Sequence, residues 1–220
     1  MRILLLGGNG QTGRLVIGEA LQRGHKITAL LRDPTTIPAR NGLNIVKGTP
    51  LEPSDIESAF NAVQGDPPTA VVVTLGSPMV KGSRIMADSH EYLIPAMKRH
   101  GVSKIVTMSS FGVGSSLPNI TFIMRWAIGH TSLGYSFADH DLVDGILKKS
   151  GLEFVILRPA RLTMGKKAPV HYLSDDGKDN GKGLGPFAGL GGISGASVAA
   201  CLVNAVEKNT WNGSTPVLTE

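Results

Sequence analysis

Cysteine is almost missing from this chain: Cys201 stands alone among 220 residues, which excludes an internal disulfide and suits a reducing compartment. It falls in the apolar run Val198 to Val206 and reads as a packed thiol rather than a nucleophile. Aromatic residues make up only 5% of the chain and the basic residues form no long run, so the net charge of +5 does not describe a nucleic-acid binder. Attraction of an anionic small molecule accounts for that balance. No apolar run approaches the roughly 20 residues that span a bilayer, and Arg2 followed by a few apolar residues is not a secretory leader. A cytoplasmic protein without membrane contact is expected. The six histidines and single cysteine show no metal-ligand spacing, and a Gly-x-Ser-x-Gly nucleophile elbow is absent, so neither a metal site nor a Ser-His-Asp hydrolase is indicated. Neither an internal repeat nor a linker divides the sequence. With 41% hydrophobic and 18% charged residues it reads as one globular domain over 1–220, a monomer or homodimer acting on a small molecule.

What is present is concentrated at the start. Ile3-Leu4-Leu5-Leu6 is a continuous apolar run, as expected of a strand buried on both faces of a parallel sheet. Gly7, Gly10 and Gly13 follow at spacings of three, and Leu15, Val16, Ala20 and Leu21 continue with helical periodicity. Strand, glycine turn and helix in this order let the backbone bend sharply and come close to a pyrophosphate at the positive end of a helix. Gly7, Asn9, Gly10, Gln11, Thr12 and Gly13 are therefore the expected cradle of a dinucleotide cofactor. The second apolar segment, Lys26 to Leu31, ends in Arg32-Asp33. A basic residue after the second strand accommodates a 2′-phosphate, whereas an acidic one bonds the ribose hydroxyl. Arg32 favours NADP(H), with Arg14 as a second cation, while Asp33 is the feature that would suit NAD(H).

Strands and helices alternate thereafter. Strands are expected at 44–46, 70–75, 104–108 and 153–157, and helices after Ser54, near 87–100, over 139–149 and over 197–208. Ser54 and Glu57 have capping-box spacing, and Pro95 should kink or bound its helix. This pattern specifies an α/β fold, a Rossmann-type doubly wound parallel sheet, with ligands outside the carboxyl ends of its strands. The candidates there are Thr49, Leu75, Gly76, Ser109, Ser110 and the Arg158-Pro159-Ala160 end, with Pro159 beside the cofactor. Ser109 and Ser110 could donate to an oxygen that gains charge as hydride arrives. The glycine-rich stretch 174–195 is expected to be a mobile loop or a lid.

These motifs together resemble the atypical short-chain dehydrogenase/reductases, in particular the NAD(P)H-binding group that includes biliverdin reductase B (flavin reductase) and NmrA-like proteins. The resemblance spans nearly the whole chain. It rests on Gly7 to Gly13, Leu30 to Asp33, Leu75-Gly76, His100 to Lys104 before Ser109-Ser110, Asp139-His140, and Ser150 to Leu152 leading to Arg158-Pro159. It implies hydride transfer from NADPH to a planar acceptor, with Arg32 near the 2′-phosphate and Ser110 near the reacting centre. The departures are specific. Tyr135 is followed four residues later by Asp139, so the Tyr-x-x-x-Lys pair of classical members is absent. Gly48-Thr49 replaces a Gly-Asp, Ala160 stands where the reductase has histidine, and Gly195-Ala196-Ser197 replaces an Arg-x-Asp.

Proton donors are sought in the segment 117–137, which is least like the reductase and carries Arg125, Trp126, His130 and Tyr135. This segment and 160–197 are expected to shape the substrate pocket. His140 and Asp139 are placed at a helix start, where the aspartate would cap. The activity implied is NADPH-dependent reduction of a small conjugated or aromatic substrate of flavin, quinone or enone type. Loss of the Tyr-Lys pair keeps a non-redox isomerase or cyclase open, and the group's NmrA-like members keep a non-enzymatic NAD(P) sensor open.

Overall fold

The N-terminal apolar run becomes strand β1 (Arg2–Leu6), and its alternation serves two cores at once. Ile3 and Leu5 pack to one side, Leu4 and Leu6 to the other, and all four are fully buried. Each contributes about 2 kcal/mol of apolar burial. The computed structural model describes residues 1–179 and 192–220. After β1 come α1 (Gln11–Gln22), β2 (Lys26–Leu31), β3 (Leu43–Lys47), α2 (Pro53–Asn61), β4 (Ala70–Val73), α3 (Ile85–Arg99) and β5 (Lys104–Met108). The second half holds α4 (Phe122–His130), α5 (Leu133–Lys149), β6 (Glu153–Pro159), β7 (Leu162–Thr163), β8 (His171–Leu173), β9 (Ile193–Ser194), α6 (Gly195–Glu207) and β10 (Val217–Thr219).

The main sheet has the order β3-β2-β1-β4-β5-β6-β10-β8, with β8 antiparallel to β10 and the other neighbours parallel. This is the Rossmann-type α/β fold expected from the alternation. Helices α1 and α6 cover one face, and α2, α3 and α5 the other. Because β1 pairs with β2 on one side and β4 on the other, the chain reverses direction across the sheet there, and a crevice opens above their carboxyl ends. Cys201 is buried in α6 as a packed thiol, accepting a hydrogen bond from Tyr172 Oη at 3.0 Å, and burial pushes its pKa up. Among the described residues no helix is long and apolar enough to cross a membrane.

Several local expectations are corrected by the tertiary structure. The Ser54–Glu57 capping box does not form: Pro53, with its fixed φ, opens α2, and Ser54 lies inside the helix. Glu57 instead bonds Arg99 Nε at 3.1 Å and His100 Nε2 at 2.8 Å, tying α2 to the end of α3. Pro95 does not bound α3, which continues to Arg99; the proline is exposed, so the hydrogen bond it forfeits is one that water replaces. The loop 174–195 ends early, because Ile193–Ser194 pairs with Leu162–Thr163 and Ser194 caps α6; residues 180–191 of that loop lie outside the described residues. Arg158 does not reach the crevice. Its fully buried guanidinium bonds Asp144 Oδ1 at 2.5 Å and the Asp175 carbonyl at 2.7 Å, joining β6 to α5.

The pair Asp139-His140 sits in the middle of α5, not at a helix start. Asp139 is a cap nonetheless, for a different helix: its carboxylate accepts from Met86 N and Ala87 N, each at 3.0 Å, at the N-terminus of α3. Arg84 at the entry to α3 makes no side-chain cap, so the fully buried aspartate supplies what the helix's own sequence lacks. Replacing Asp139 with alanine would strand two buried amides. Asp139→Ala is expected to destabilise the fold by about 3 kcal/mol, seen as a lower urea midpoint at unchanged slope. An unchanged midpoint would show that the α3–α5 junction does not depend on this carboxylate.

Candidate functional site

The glycine turn is built by close backbone contact. Gly7 has φ +86, and a Cβ there would stand 2.6 Å from the Thr74 carbonyl carbon. A Cβ on Gly13 would stand 2.2 Å from the Gly7 oxygen. Both positions therefore require glycine. Thr74 Oγ1 holds the turn by donating to the carbonyls of Leu6 and Gly7, each at 3.2 Å. Gly10 precedes α1 without a side-chain cap, and the first turn of α1 carries no acidic residue, so its leading amides remain available to an anion. The turn forms one wall of a cleft of about 230 Å³, in which Gly7, Asn9 and Gly10 face Arg32, Leu75 and Gly76.

Arg32 is exposed at the end of β2. Asp33 is turned to local work: its Oδ1 accepts from Thr35 N at 2.9 Å and Thr35 Oγ1 at 2.7 Å, and these bonds hold its carboxyl below the usual range. Gly48 and Pro50 line the cleft, whereas Thr49 between them gives its N–H to Asp55 Oδ2 at 2.8 Å. Gln11, Thr12 and Gly13 lie in the first turn of α1; Gln11 is exposed and contacts the Met164 thioether, while Thr12 is buried. Pro159 is buried at the end of β6, paired with Leu218 of β10, and is not part of this cleft's lining.

The paired serines differ. Ser110 Oγ is engaged with the Phe111 carbonyl at 3.2 Å, whereas Ser109 Oγ is buried without a hydrogen-bond partner. Ser109 continues the β5–β6 pairing through its N–H to the Leu157 carbonyl at 2.7 Å, and so shares a face with Thr107. On that face His90 of α3 bridges the Met86 carbonyl (2.7 Å) and Thr107 Oγ1 (3.0 Å). Burial pushes the His90 imidazole down to about 4, against the opposing pull of the Met86 carbonyl and the Asp139 charge. His90 escapes a motif search, but Met86, His90, Leu93 and Met97 fall on one helical stripe, which is the signal that it is buried.

The model of the NAD(P)H-binding family matches residues 7–209. The chain belongs to the NAD(P)H-binding family. The fold of this NAD(P)H-binding protein is shared with an anaerobillin reductase, ChuY, from Escherichia coli, at TM-score 0.79 and 21% identity over 100% of this chain and 97% of the other. It is also similar to a wide-type short-chain dehydrogenase/reductase from Veillonella parvula in complex with NADP, at TM-score 0.76 and 17% identity over 100% and 94%. A Rossmann-fold NAD(P)-binding protein from Shigella flexneri gives TM-score 0.70 and 24% identity over 100% and 93%. At these identities the likeness establishes the fold. A curated relative, sterol demethylase protein B from Methylococcus capsulatus, is 25% identical over 175 residues, 74% of this chain. The chain spans about half the length of that relative, 52%.

In this NAD(P)H-binding protein the other two donor candidates, His130 and Tyr135, stand in a separate cleft of about 450 Å³ between α4 and α5. The structure brings these two together but leaves them outside the lining of the glycine cleft. His130 is exposed, bonds the Trp126 carbonyl at 2.9 Å and stacks on the Trp126 ring at 5.0 Å. Ser132 Oγ touches Met79 Sδ at 4.0 Å, which links this segment to the loop that leaves β4 past Gly76.

Gly10 has an ordinary extended backbone, φ −67 and ψ 162, and a Cβ there meets only the Gly7 oxygen at 3.3 Å. Gly10→Val is therefore expected to fold and yet to lose dinucleotide binding, by filling the space before α1; a nicotinamide-fluorescence titration with unchanged affinity would refute the cradle. A second expectation concerns pH. The unfolded chain protonates its histidines near 6.5, whereas folded His90 resists protonation to about 4, so stability is full above 6.5 and falls as pH drops between these values. The loss from this one group is about 3 kcal/mol, readable by urea denaturation across the window, and a flat profile would contradict a neutral buried His90.

Proposed function

We propose that the protein is an NADP(H)-dependent oxidoreductase that reduces a small conjugated or aromatic organic substrate, of flavin, quinone or enone type. The observation that carries this reading is the cleft itself. A turn from which side chains are sterically excluded faces an exposed Arg32, while the neighbouring Asp33 is occupied by Thr35. These residues suit a dinucleotide with a 2′-phosphate: uncapped amides of α1 for the pyrophosphate, and a guanidinium for the extra phosphate. Asp33, whose Oδ1 is held by Thr35, is not among the residues that line this cleft, whereas Arg32 is. When bound, NADPH supplies a hydride from its nicotinamide ring.

The chain's own residues then have separable tasks. Gly7 and Gly13 permit close approach, Arg32 selects the phosphorylated cofactor, and the buried hydroxyl of Ser109 is a donor without a protein partner. Exposed apolar side chains around the 128–135 cleft, Met79 and Trp126 among them, favour a substrate with an apolar or aromatic face. The test is a titration of the purified protein with NADPH and NADH, followed by a screen of flavins, quinones and enones for oxidation of NADPH. NADPH-selective binding with turnover supports the reading. Binding without oxidation of NADPH by any of these acceptors would remove the reductase assignment.

Arg32→Ala is expected to weaken NADPH by about tenfold to a hundredfold, the worth of a charge-assisted phosphate contact, while NADH changes little. Equal losses for both cofactors would show that Arg32 does not read the 2′-phosphate.

A further inference from the structure

Three segments leave the carboxyl end of the sheet without a single aspartate or glutamate, although the chain has 17: 74–84 after β4, 109–132 after β5 and 160–170 after β6. They carry six cations, Lys81, Arg84, Arg125, Arg161, Lys166 and Lys167. The same segments expose large apolar side chains: Met79 and Val80 in the first, Phe122, Ile123, Met124 and Trp126 in the second, Leu162 and Met164 in the third. Because β4, β5 and β6 run parallel, all three segments start from one end of the molecule. Ser132 Oγ reaches Met79 Sδ at 4.0 Å, and Met164 lies against Gln11 at the start of α1, so the segments ring the rim above the glycine turn. Helix α4 is the extreme case. Thr121 caps it by accepting from Met124 N at 3.3 Å, and Arg125 Nη2 ties it back to the Pro118 carbonyl at 2.8 Å, yet it buries none of its residues. Phe122, Ile123 and Trp126 fall within an arc of about 100°, and Phe122 and Ile123 are each 78% exposed.

A helix that served only to pack would bury that arc; left in water, it marks a contact surface. We infer that this end of the molecule docks on the surface of an anionic lipid bilayer, with α4 lying in the headgroup boundary and Met79, Val80 and Met164 beside it. The charge pattern selects this occupant. Arg84 pairs with Asp88 and Glu91, and Lys167 with Glu19, whereas Lys81, Arg125, Arg161 and Lys166 are exposed and have no ion pair among the described residues. With no carboxylate in the three segments, nothing in them repels anionic headgroups, and each cation near the surface adds attraction. A second copy docked face to face would set like charges against one another, which disfavours self-association through this patch. Apolar side chains on one arc with basic residues beside them are the pattern of a helix that lies in an interface without crossing it, and Trp126 is of the residue type that settles at that depth. The expectation of no membrane contact rests on the lack of a spanning run, which has no bearing on such a helix. Ile128, Gly129 and His130 of α4 also line the 128–135 cleft, so docking turns that cleft toward the bilayer. The inference goes beyond the proposed reduction and does not depend on it.

The experiment is co-sedimentation of the full chain with vesicles of phosphatidylcholine mixed with phosphatidylglycerol, and with vesicles of phosphatidylcholine alone, at low and high salt. Binding is expected to the anionic vesicles and to weaken with salt. Tryptophan emission should shift to the blue on binding, and the shift should be absent in Trp126→Phe, which separates Trp126 from Trp211. The double variant Phe122→Ser with Ile123→Ser, changed at side chains that the fold leaves in water, should keep the urea midpoint and lose about tenfold or more in vesicle affinity. Lys81→Glu with Lys166→Glu should weaken binding by about tenfold at low salt and much less at high salt. No sedimentation with anionic vesicles, equal binding by the serine double variant, or binding that leaves Trp126 emission unmoved would each overturn the inference. A dimer that dissociates in the serine double variant, with no vesicle binding by the wild type, would assign the patch to a second copy and also overturn it. Failure to bind NADPH would remove the proposed activity and leave this result standing, because the vesicle assay contains no cofactor.

Discussion

Where the Gly7 backbone passes Thr74, no side chain fits: the place a Cβ would take is 2.6 Å from a carbonyl carbon, and Gly13 repeats the restriction against Gly7 itself. This near-contact between the turn after β1 and the end of β4 sets the rest of the site. It starts α1 beside the sheet with its leading amides uncapped, and it leaves the crevice between β1 and β4 open. Thr74 bonds both carbonyls at the bend, so the turn is held from the end of the neighbouring strand as well as by its own Gly10 N–H, which donates to the Gly7 carbonyl at 3.0 Å. A concave backbone surface is thus produced by steric exclusion before any charged residue contributes. Arg32 stands exposed beside this turn, across the same cleft.

The opposite half of the site depends on contacts between helices. Asp139 leaves α5 to cap α3, and His90 leaves α3 to bond Thr107 on β5, so the two helices and the strand brace one another through polar groups inside an otherwise apolar layer. Buried groups of this kind are stable only when satisfied. Among the described residues Ser109 Oγ, just past the end of β5, is one of the exceptions.

Much of this was legible in the chain. The apolar run at 3–6, the glycines at spacings of three and the alternation of segments led to the doubly wound sheet, because backbone pairing and helix periodicity are local consequences of residue order. The failures have a common cause. Ser54 and Glu57 had the spacing of a capping box, yet Arg99 and His100, more than forty residues away, engaged the glutamate. Asp139 looked like a cap for its own helix and capped another. Arg158 looked like a strand-end candidate and is consumed by Asp144 and a backbone carbonyl. The short strands β7 to β10 carry too few residues for periodicity to register, and β8 joins the sheet only because β10 offers it an edge.

By itself, the order of residues determined the sheet-and-helix alternation, the glycine turn before α1 and the cation that follows β2, since each is written within a few consecutive positions. Which polar groups are spent on structure and which remain free was decided by the tertiary fold. Partners for a carboxylate or an imidazole are chosen by distance in space, and helices α3 and α5, remote in sequence, are brought together only by the burial of their apolar faces on the sheet.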